Sequence, residues 1–491
     1  MNILLHNFKT INKTNIEAIL INNKTISNIG SFHLLKKIAT NPEIIDLNGN
    51  LLLPAFTDAH THFVETAKQQ LTCNVLNCKT DDDFYEKLIE YRDNYHNMLN
   101  NLGCTSPPLW IKGYGWEKKD FDNFHSINKH LIDKVFPDIP VSIASRDLHS
   151  NLCNSKALEI IGKVSESYNI QIGKFTNGEP NGYLYENSWT ILDKFIPALD
   201  EKLLKKLVCE LIKKAQKFGL CGVHSIEDIK AAKLVRELVS EVDFYFTWYY
   251  LGTEMLDTDR ENFRSIGIKL FADGSLGSDS ACLFENKPNT PIFTSEQMKT
   301  IIEAHQKSIQ ISIHAIGDYA VYATANMFKE LNKKYGYKLK HRIEHLQAVR
   351  PEDINLLKEA NIHASMQAVH IKNDAELICK KWKTASRYSY PIRSVSDVVE
   401  MALGSDAPVE TLNPFEGIRY ATNRDVFLPH EAISMQDAIN AYTYKHHIIA
   451  NQPITYGMLE VGQIANLIVV KDDILNTTET EMTIINGKIV S

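Results

Sequence analysis

Strand-like and helix-like runs alternate through most of this chain, and this alternation limits its fold more than any other feature. Short apolar segments predict eight strands, at residues 51–58, 220–226, 242–250, 266–272, 309–314, 341–345, 362–367 and 399–406. Helical patterns fall between most of them, at 201–218, 230–241, 295–307, 319–335 and 351–360. Eight βα units predict an α/β fold of the TIM (β/α)8 barrel type, whose catalytic groups lie at the C-terminal ends of the strands.

Two parts of the chain fall outside this alternation. Residues 64–200 separate the first two predicted strands, whereas a βα loop needs roughly 2–6 residues, so we predict a large inserted subdomain near the active site. Strand-like segments at both termini, with an Asn-Gly turn at 486–487, predict a small composite β-sandwich built from 1–50 and 453–491. Two unrelated edge hairpins are the alternative. The barrel then takes residues 51–63 and 201–452.

The composition is that of an ordinary soluble protein and excludes several classes of function. The 491 residues include 53 Lys and Arg against 60 Asp and Glu, a net charge of −7, which argues against a sequence-independent nucleic-acid binder. No stretch approaches 18 consecutive apolar residues, and the start lacks a signal peptide, so no membrane association is expected. The eight cysteines form no C-x-x-C pair, which predicts reduced thiols and a cytoplasmic protein.

Metal-ligating residue types fall at the predicted strand ends. They are His60 and His62 after the first strand, Lys269 in the fourth, His314 in the fifth, His345 in the sixth and Asp406 in the eighth. Residues two apart on a strand face the same side, so both imidazoles of the H-x-H pair can reach one ion. Taken singly, a histidine is more often a polar residue that makes its hydrogen bonds within the protein than a metal ligand. Together they would converge at one barrel mouth, which predicts a metal site.

With several longer motifs, these residues resemble the amidohydrolase superfamily. The finer motifs look like its amidohydrolase-3 or YtcJ-like branch, which includes the N-substituted formamide deformylases. The motifs are PAFTDAHTH (54–62), GYGW (113–116), RDLHSNLCNS (146–155), GEPNGYLYE (178–186), KLFADGSLG (269–277), HAIGD (314–318), SMQAVH (365–370) and GSD (404–406). They occur in the family's order and extend the resemblance from about residue 29 to residue 490.

The resemblance implies a metal-dependent hydrolase with one or two divalent ions, zinc being the preferred metal. Its implied ligands are His60, His62, His314, His345 and Asp406. A metal-activated hydroxide would attack the amide carbonyl, and Asp406 would act as the proton shuttle to the leaving nitrogen.

Two residues compete for the role of a bridge between two metals. Lys269 would bridge once CO₂ has carboxylated its amine, a reaction that needs the neutral amine and is therefore favoured by burial. Glu186 is a ready-made carboxylate and the rival bridge, although it falls within the insertion rather than on a barrel strand. A structural salt bridge is the third interpretation of Lys269.

Substrate contacts are expected from four residues in family motifs. His370 would donate to the developing oxyanion, with a loop histidine as the alternative. Trp116, His149 and Glu186 would line the substrate pocket, although a tryptophan is more often a packing residue.

Three further polar residues can be explained without a role in catalysis. Asp273 and Asp318 stand next to glycines, where turn formation explains an aspartate as well as a functional role does. Arg424 is interpreted as a surface residue, with contact to an acidic group as the alternative.

The predicted reaction is cleavage of the C–N bond of an N-substituted formamide or another linear amide. Hydrolysis of a cyclic amide, an ester or a carbamate is the alternative, since the metal site does not select among them. A catalytically inactive amidohydrolase-like scaffold is the alternative from another class. The expected partner is a small-molecule amide, with a homodimer as the expected assembly.

Overall fold

The computed structural model describes residues 2–11, 16–103, 109–116, 126–145, 150–162, 171–185, 192, 194–257, 259–425 and 427–491. The chain divides into two compact units. The first contains Met1–Thr66 and Val208–Ser491, and the second is Ala67–Leu207. The second unit falls where the sequence predicted an insertion at 64–200.

An eight-stranded parallel sheet forms the centre of the first unit, as the alternating pattern predicted. Its strands are β1 (Phe56–Thr61), β2 (Leu220–Glu227), β3 (Tyr245–Leu251), β4 (Phe263–Phe271), β5 (Gln310–Ala315), β6 (Arg342–His345), β7 (His363–Met366) and β8 (Met401–Leu403). Each strand pairs with the next in chain order. Beyond β8, the Asp406 amide donates to the His60 carbonyl at 2.7 Å, and the His62 amide donates to the Ala407 carbonyl at 2.7 Å. These bonds join the last strand to the first at their C-terminal ends.

Helices alternate with most of these strands, which are buried on both faces as parallel strands usually are. All eight residues of β2 are buried, for example. The helices of this unit are Phe32–Ile38, Phe63–Gln69 (crossing the unit boundary), Glu201–Lys217 (likewise), Ile229–Leu238, Ser295–Gln306, Asp318–Tyr335, Ile354–Glu359, Ile371–Lys381, Ile392–Ser396, Pro414–Thr422, Met435–Tyr442 and Lys445–Ile449. None of the helices in the described segments is both long enough and apolar enough to cross a membrane.

The first predicted strand, 51–58, is wrong as a single barrel strand. Leu51–Pro54 pairs antiparallel with Leu467–Val470 in a separate sheet, and only the following residues enter the barrel. The chain changes hydrogen-bonding partner within one residue, because the Ala55 amide donates to Asn466 whereas the Phe56 amide donates to Gly219. One short segment, with Pro54 at the point of change, therefore serves two sheets.

Two four-stranded sheets are built from the chain termini. One has the order Thr25–Gly30, Ala18–Asn22, Asn2–His6, Glu43–Asp46, and the other has the order Lys488–Ile489, Met482–Ile485, Leu467–Val470, Leu51–Pro54. Side chains from both contribute to one hydrophobic cluster, among them Ile3, Ile19, Leu52, Leu467 and Ile484. Burial of this shared apolar surface stabilises the two sheets together.

The second unit contains a six-stranded mixed sheet. Its order is Gln171–Lys174, Pro180–Tyr185, Ser150–Cys153, Val141–Ser145, Ile111–Trp116, Thr72–Asn74. Its helices include Asp81–Asn101, Lys129–Asp133 and Ser155–Gly162. The longest of these begins at a capping box in which Thr80 and Asp83 each accept a backbone N–H, so its N-terminus is fixed by the local sequence.

Candidate metal centre

The C-terminal ends of the barrel strands bring together three of the residues that the sequence singled out as ligands. His60 lies in β1, His345 ends β6, and Asp406 follows β8 by three residues. One potential ligand atom from each of these buried side chains lies within 4.8 Å of the other two. The Nε2 atom of His62 adds to the group, since it lies 3.2 Å from Asp406 Oδ1.

Asp58 fixes the first strand against the loop that follows the last one. Its buried carboxylate accepts the backbone N–H of His60 and that of Ser405, both at 3.0 Å. Burial raises the pKa of Asp58 to about 7, although these hydrogen bonds oppose the shift. One side chain thus positions residues from both β1 and the β8 loop.

Three imidazoles are held by their Nδ1 atoms. His60 Nδ1 lies 2.6 Å from Glu344 Oε2, His62 Nδ1 lies 2.7 Å from the Ile226 carbonyl, and His345 Nδ1 lies 2.8 Å from Gln367 Oε1. All three partners are hydrogen-bond acceptors, so each Nδ1 carries the proton. The Nε2 lone pair of each ring therefore remains for a metal ion.

The His314 ring is anchored through Nε2 rather than through Nδ1. Its Nε2 lies 3.0 Å from the Gly274 carbonyl, which leaves Nδ1 as the atom with a lone pair. Its ring packs edge-on against His345 with 4.4 Å between the ring centroids. Asp273 accepts the backbone N–H groups of Cys282, Ile316 and Gly317 and lies 3.6 Å from His314 Nε2, so it joins distant loops beside a candidate ligand and does not form a local turn.

The sequence reasoning missed Glu344, which anchors His60 from the neighbouring position to a predicted ligand. Its carboxylate, fully buried, also accepts hydrogen bonds from Arg342 Nε at 2.6 Å and Ser312 Oγ at 2.5 Å. The Arg342 guanidinium and the His60 imidazole hold the pKa of Glu344 well below its usual range despite the opposing effect of burial. The only available signal was its place in the RIEH segment at the end of a strand.

Lys269 lies inside the barrel and is 3% exposed. Burial lowers the pKa of its amine to about 8, while the negative charges of Glu344 and Asp406 oppose the shift. A substantial fraction of the amine is therefore neutral near pH 8, the form that can react with CO₂.

The backbone is strained at two of these positions. His345 has φ +75° and Asp406 has φ +59°, which are left-handed values for residues that carry a Cβ. Such conformations cost about 1–3 kcal/mol each and are concentrated at functional sites.

Comparison with known proteins agrees with this geometry. The model of the amidohydrolase family (Amidohydro_3) matches residues 43–491, which is most of the chain. The chain belongs to the amidohydrolase family. The resemblance found in the sequence motifs is thereby confirmed.

Several relatives cover nearly the whole amidohydrolase chain. An Arabidopsis thaliana protein, LONG AFTER FAR-RED 3, is 27% identical over 92% of this chain and 83% of its own. YtcJ of Bacillus subtilis (strain 168) is 26% identical over 96% of both chains. The N-substituted formamide deformylase of Arthrobacter pascens is 21% identical over 97% of this chain and 94% of its own.

A solved structure shares the fold. The crystal structure of an uncharacterized metal-dependent hydrolase from Pyrococcus furiosus superimposes with a TM-score of 0.78 at 23% identity, covering 97% of this chain and 100% of that one. At this identity the likeness supports the amidohydrolase fold alone.

The residues of this amidohydrolase fit a divalent metal ion. Burial lowers the pKa of His60 and that of His314 to about 4, and it holds the pKa of His345 well below its usual range, so these rings are neutral and can ligate. Burial also acts on His62, but the Asp406 carboxylate outweighs it and raises its pKa. Imidazoles with one anchored nitrogen and a nearby carboxylate match the donor set of a zinc-type site.

Of the predicted substrate residues that the structure describes, one borders the candidate metal centre and one belongs to the second unit. His370 Nε2 lies 3.1 Å from the Ser405 carbonyl and 3.9 Å from Asp406 Oδ2, so it borders the candidate centre. Trp116 belongs to the second unit, where its indole N–H donates to the Ile143 carbonyl at 2.7 Å and its ring packs on Tyr183. His149 and Glu186 lie outside the described residues.

Arg424 is not the surface residue that the sequence suggested. It is 2% exposed and donates to the backbone carbonyls of Phe427 and Tyr390. A long cation can therefore serve as an internal backbone anchor, which a single sequence does not reveal.

Proposed function

We propose that this amidohydrolase is a metal-dependent enzyme that hydrolyses the C–N bond of a linear amide, with N-substituted formamides as the leading candidates. The observation that carries the proposal is the set of anchored imidazoles around Asp406, whose potential ligand atoms approach within 4.8 Å. His60, His62, His314, His345 and Asp406 would hold the metal, with zinc preferred. The proposed formamide substrate is taken from the name of the Arthrobacter pascens relative.

A bound divalent ion would polarise the amide carbonyl and lower the pKa of a water molecule. Burial would raise the pKa of Asp406, but the imidazoles of His60, His62 and His345 outweigh it, so the carboxylate starts ionised and can accept a proton. From the same position Asp406 can return that proton to the leaving nitrogen. His370 borders Asp406 and would orient the substrate carbonyl.

Lys269 would supply the bridging ligand if two ions bind. Its neutral amine would attack the carbon of CO₂ and release one proton, leaving a carbamate with two oxygen ligands. The buried position and lowered pKa of this lysine support the proposal over Glu186. Mass spectrometry of the native holoenzyme would detect the added CO₂, and the unmodified mass in a fully active, two-metal enzyme would exclude this bridge.

Exposed apolar side chains suggest that the amide carries an apolar substituent. Leu251 is paired in register with Lys269, and Phe271 with His314, so each shares a face with a residue of the candidate centre. They nevertheless remain 41% and 48% exposed. Large exposed apolar side chains at a barrel mouth provide a surface for an alkyl or aryl group.

The test joins metal analysis to an activity screen. Purified protein should hold roughly one to two equivalents of divalent metal and should release formate from N-alkyl or N-aryl formamides. Removal of the metal should abolish turnover, and its return should restore it. A protein that holds no metal would support the inactive scaffold, and turnover confined to cyclic amides, esters or carbamates would overturn the linear-amide assignment.

The substituent surface has its own test. Leu251→Asn should raise KM for an N-aryl formamide several-fold while leaving unsubstituted formamide unaffected. Leu34→Asn is the matched control, because Leu34 is 61% exposed on the helix Phe32–Ile38 near the chain terminus. Equal effects of both substitutions would contradict the proposed apolar contact.

A further inference from the structure

A cavity of about 590 Å³ lies at the opposite ends of the barrel strands from the candidate metal centre. It is found where the chain enters β6, β7 and β8, and its size is that of a site for a small molecule. Its lining residues are Tyr337, Lys338, Leu339, Lys340, Asn361, His363, Glu400, Ile448, Asn451, Gln452 and Ile454. We refer to it as the amino-end cavity.

The charges that line the amino-end cavity leave it positive. Neither Lys338 nor Lys340 has an ion-pair partner among the described residues. The acidic residue in the lining, Glu400, is paired with Lys445 at 3.2 Å. Two ammonium groups therefore remain to attract an anion.

A largely buried histidine belongs to the same wall. His363 is 3% exposed, and its Nδ1 atom has no hydrogen-bond partner in the described part of the chain. Burial and the neighbouring charge of Lys340 lower the pKa of His363 to about 3, so its ring is neutral and offers one N–H donor.

The rest of the lining is largely apolar or made of amides. Tyr337, Leu339, Ile448 and Ile454 present aromatic and aliphatic surface beside the two ammonium groups. A bare inorganic anion would leave this surface in contact with water, whereas an organic acid would cover it. We propose that the amino-end cavity binds a small organic carboxylate, whose anionic end contacts Lys338 and Lys340 and whose apolar body covers the aromatic and aliphatic side chains.

Benzoate is a suitable probe, and isothermal titration calorimetry of the metal-loaded protein would measure its binding. The double substitution Lys338→Ala/Lys340→Ala should weaken benzoate binding about tenfold or more, the effect of losing roughly 1.4 kcal/mol. Lys333→Ala/Lys334→Ala is the matched control, since these lysines belong to the preceding helix Asp318–Tyr335 and do not line the cavity. This control should bind benzoate as the unchanged protein does.

The outcomes separate the amino-end cavity from other sites. Benzoate could also bind a metal ion, but that binding would be the same in both double variants. Unchanged affinity in Lys338→Ala/Lys340→Ala, or no binding at all, would therefore overturn the proposal. Inorganic phosphate should bind more weakly than benzoate at the same ionic strength, and equal or tighter binding of phosphate would overturn the assignment of an organic acid. None of these results depends on which amide is hydrolysed.

Discussion

Asp406 lies among four imidazoles, and its proposed role as a proton shuttle can be tested separately from metal binding. Asp406→Asn preserves the size of the side chain but removes the carboxylate that accepts a proton. We expect metal content to be retained and kcat to fall by about 10²–10⁴. Metal analysis and steady-state kinetics on the same preparation would check this. Asp397→Asn, at an exposed aspartate, should change neither quantity, and near-normal turnover in Asp406→Asn would rule out the proton shuttle.

Glu344 should affect the metal through His60 rather than by contact with the ion. Glu344→Gln removes the charge that anchors His60 Nδ1 and leaves the buried guanidinium of Arg342 without its counter-ion. Metal affinity should fall about 10–100-fold, and the free energy of unfolding should fall by about 3–5 kcal/mol.

Chelator competition and urea unfolding would measure the two effects of Glu344→Gln. Its matched control is Glu352→Gln, since Glu352 is 64% exposed in its pair with Arg350 and exposed pairs contribute little. Metal affinity that is unaffected by Glu344→Gln would show that the His60 ring needs no anchor.

The ligand residue types could be predicted from sequence because each stands at or near a strand end, where a barrel places its chemistry. The anchoring partners could not. His60 and Glu344 are separated by 284 positions, and their contact exists only once β1 and β6 face each other across the barrel. The same holds for Asp58, which joins β1 to the loop after β8.

At the scale of elements, the contact between β1 and the end of β8 determines where Asp406 lies. Gly404 makes this approach possible, since a Cβ there would lie 2.5 Å from the His60 amide nitrogen and 2.7 Å from Asp58 Oδ1. Gly404→Ala should therefore separate the two segments, lowering both metal occupancy and Tm. Gly30→Ala is the control, because a Cβ at that position would meet nothing within 4 Å. Full metal occupancy in Gly404→Ala would contradict the requirement for this close approach.

Element prediction succeeded where periodicity and length agreed and failed where a sheet changed without a break in the apolar pattern. The helix predicted at 201–218 is observed at Glu201–Lys217, and the strand predicted at 220–226 at Leu220–Glu227. The run 51–58 could not be divided from sequence. Pro54 marks the division, but the hydrogen-bonding partners of the two halves come from distant parts of the chain.

At the scale of the whole molecule, the terminal sheets and the barrel share the first unit, whereas the insertion forms a unit of its own. The candidate ligands, their anchors and the amino-end cavity all belong to the first unit. The proposed metal site and the proposed carboxylate site thus lie in one compact body, whose unfolding experiments can follow.

Buried neutral histidines should make that body sensitive to acid. Burial lowers the pKa of His341 and that of His363 to about 3 and that of His447 to about 4, against an ordinary value of 6.5. At pH values between the folded-state pKa and 6.5, the unfolded chain binds more protons than the folded chain. The free energy of unfolding is therefore retained above pH 6.5 and falls as the pH is lowered towards 4. Each histidine contributes about 1.4 kcal/mol per pH unit. Urea unfolding at pH 7.5, 6 and 5 should show this decline. His447→Asn should reduce its slope, whereas His33→Asn, at an exposed position, should not. A flat profile would show that these rings have the same pKa in the folded and unfolded chains.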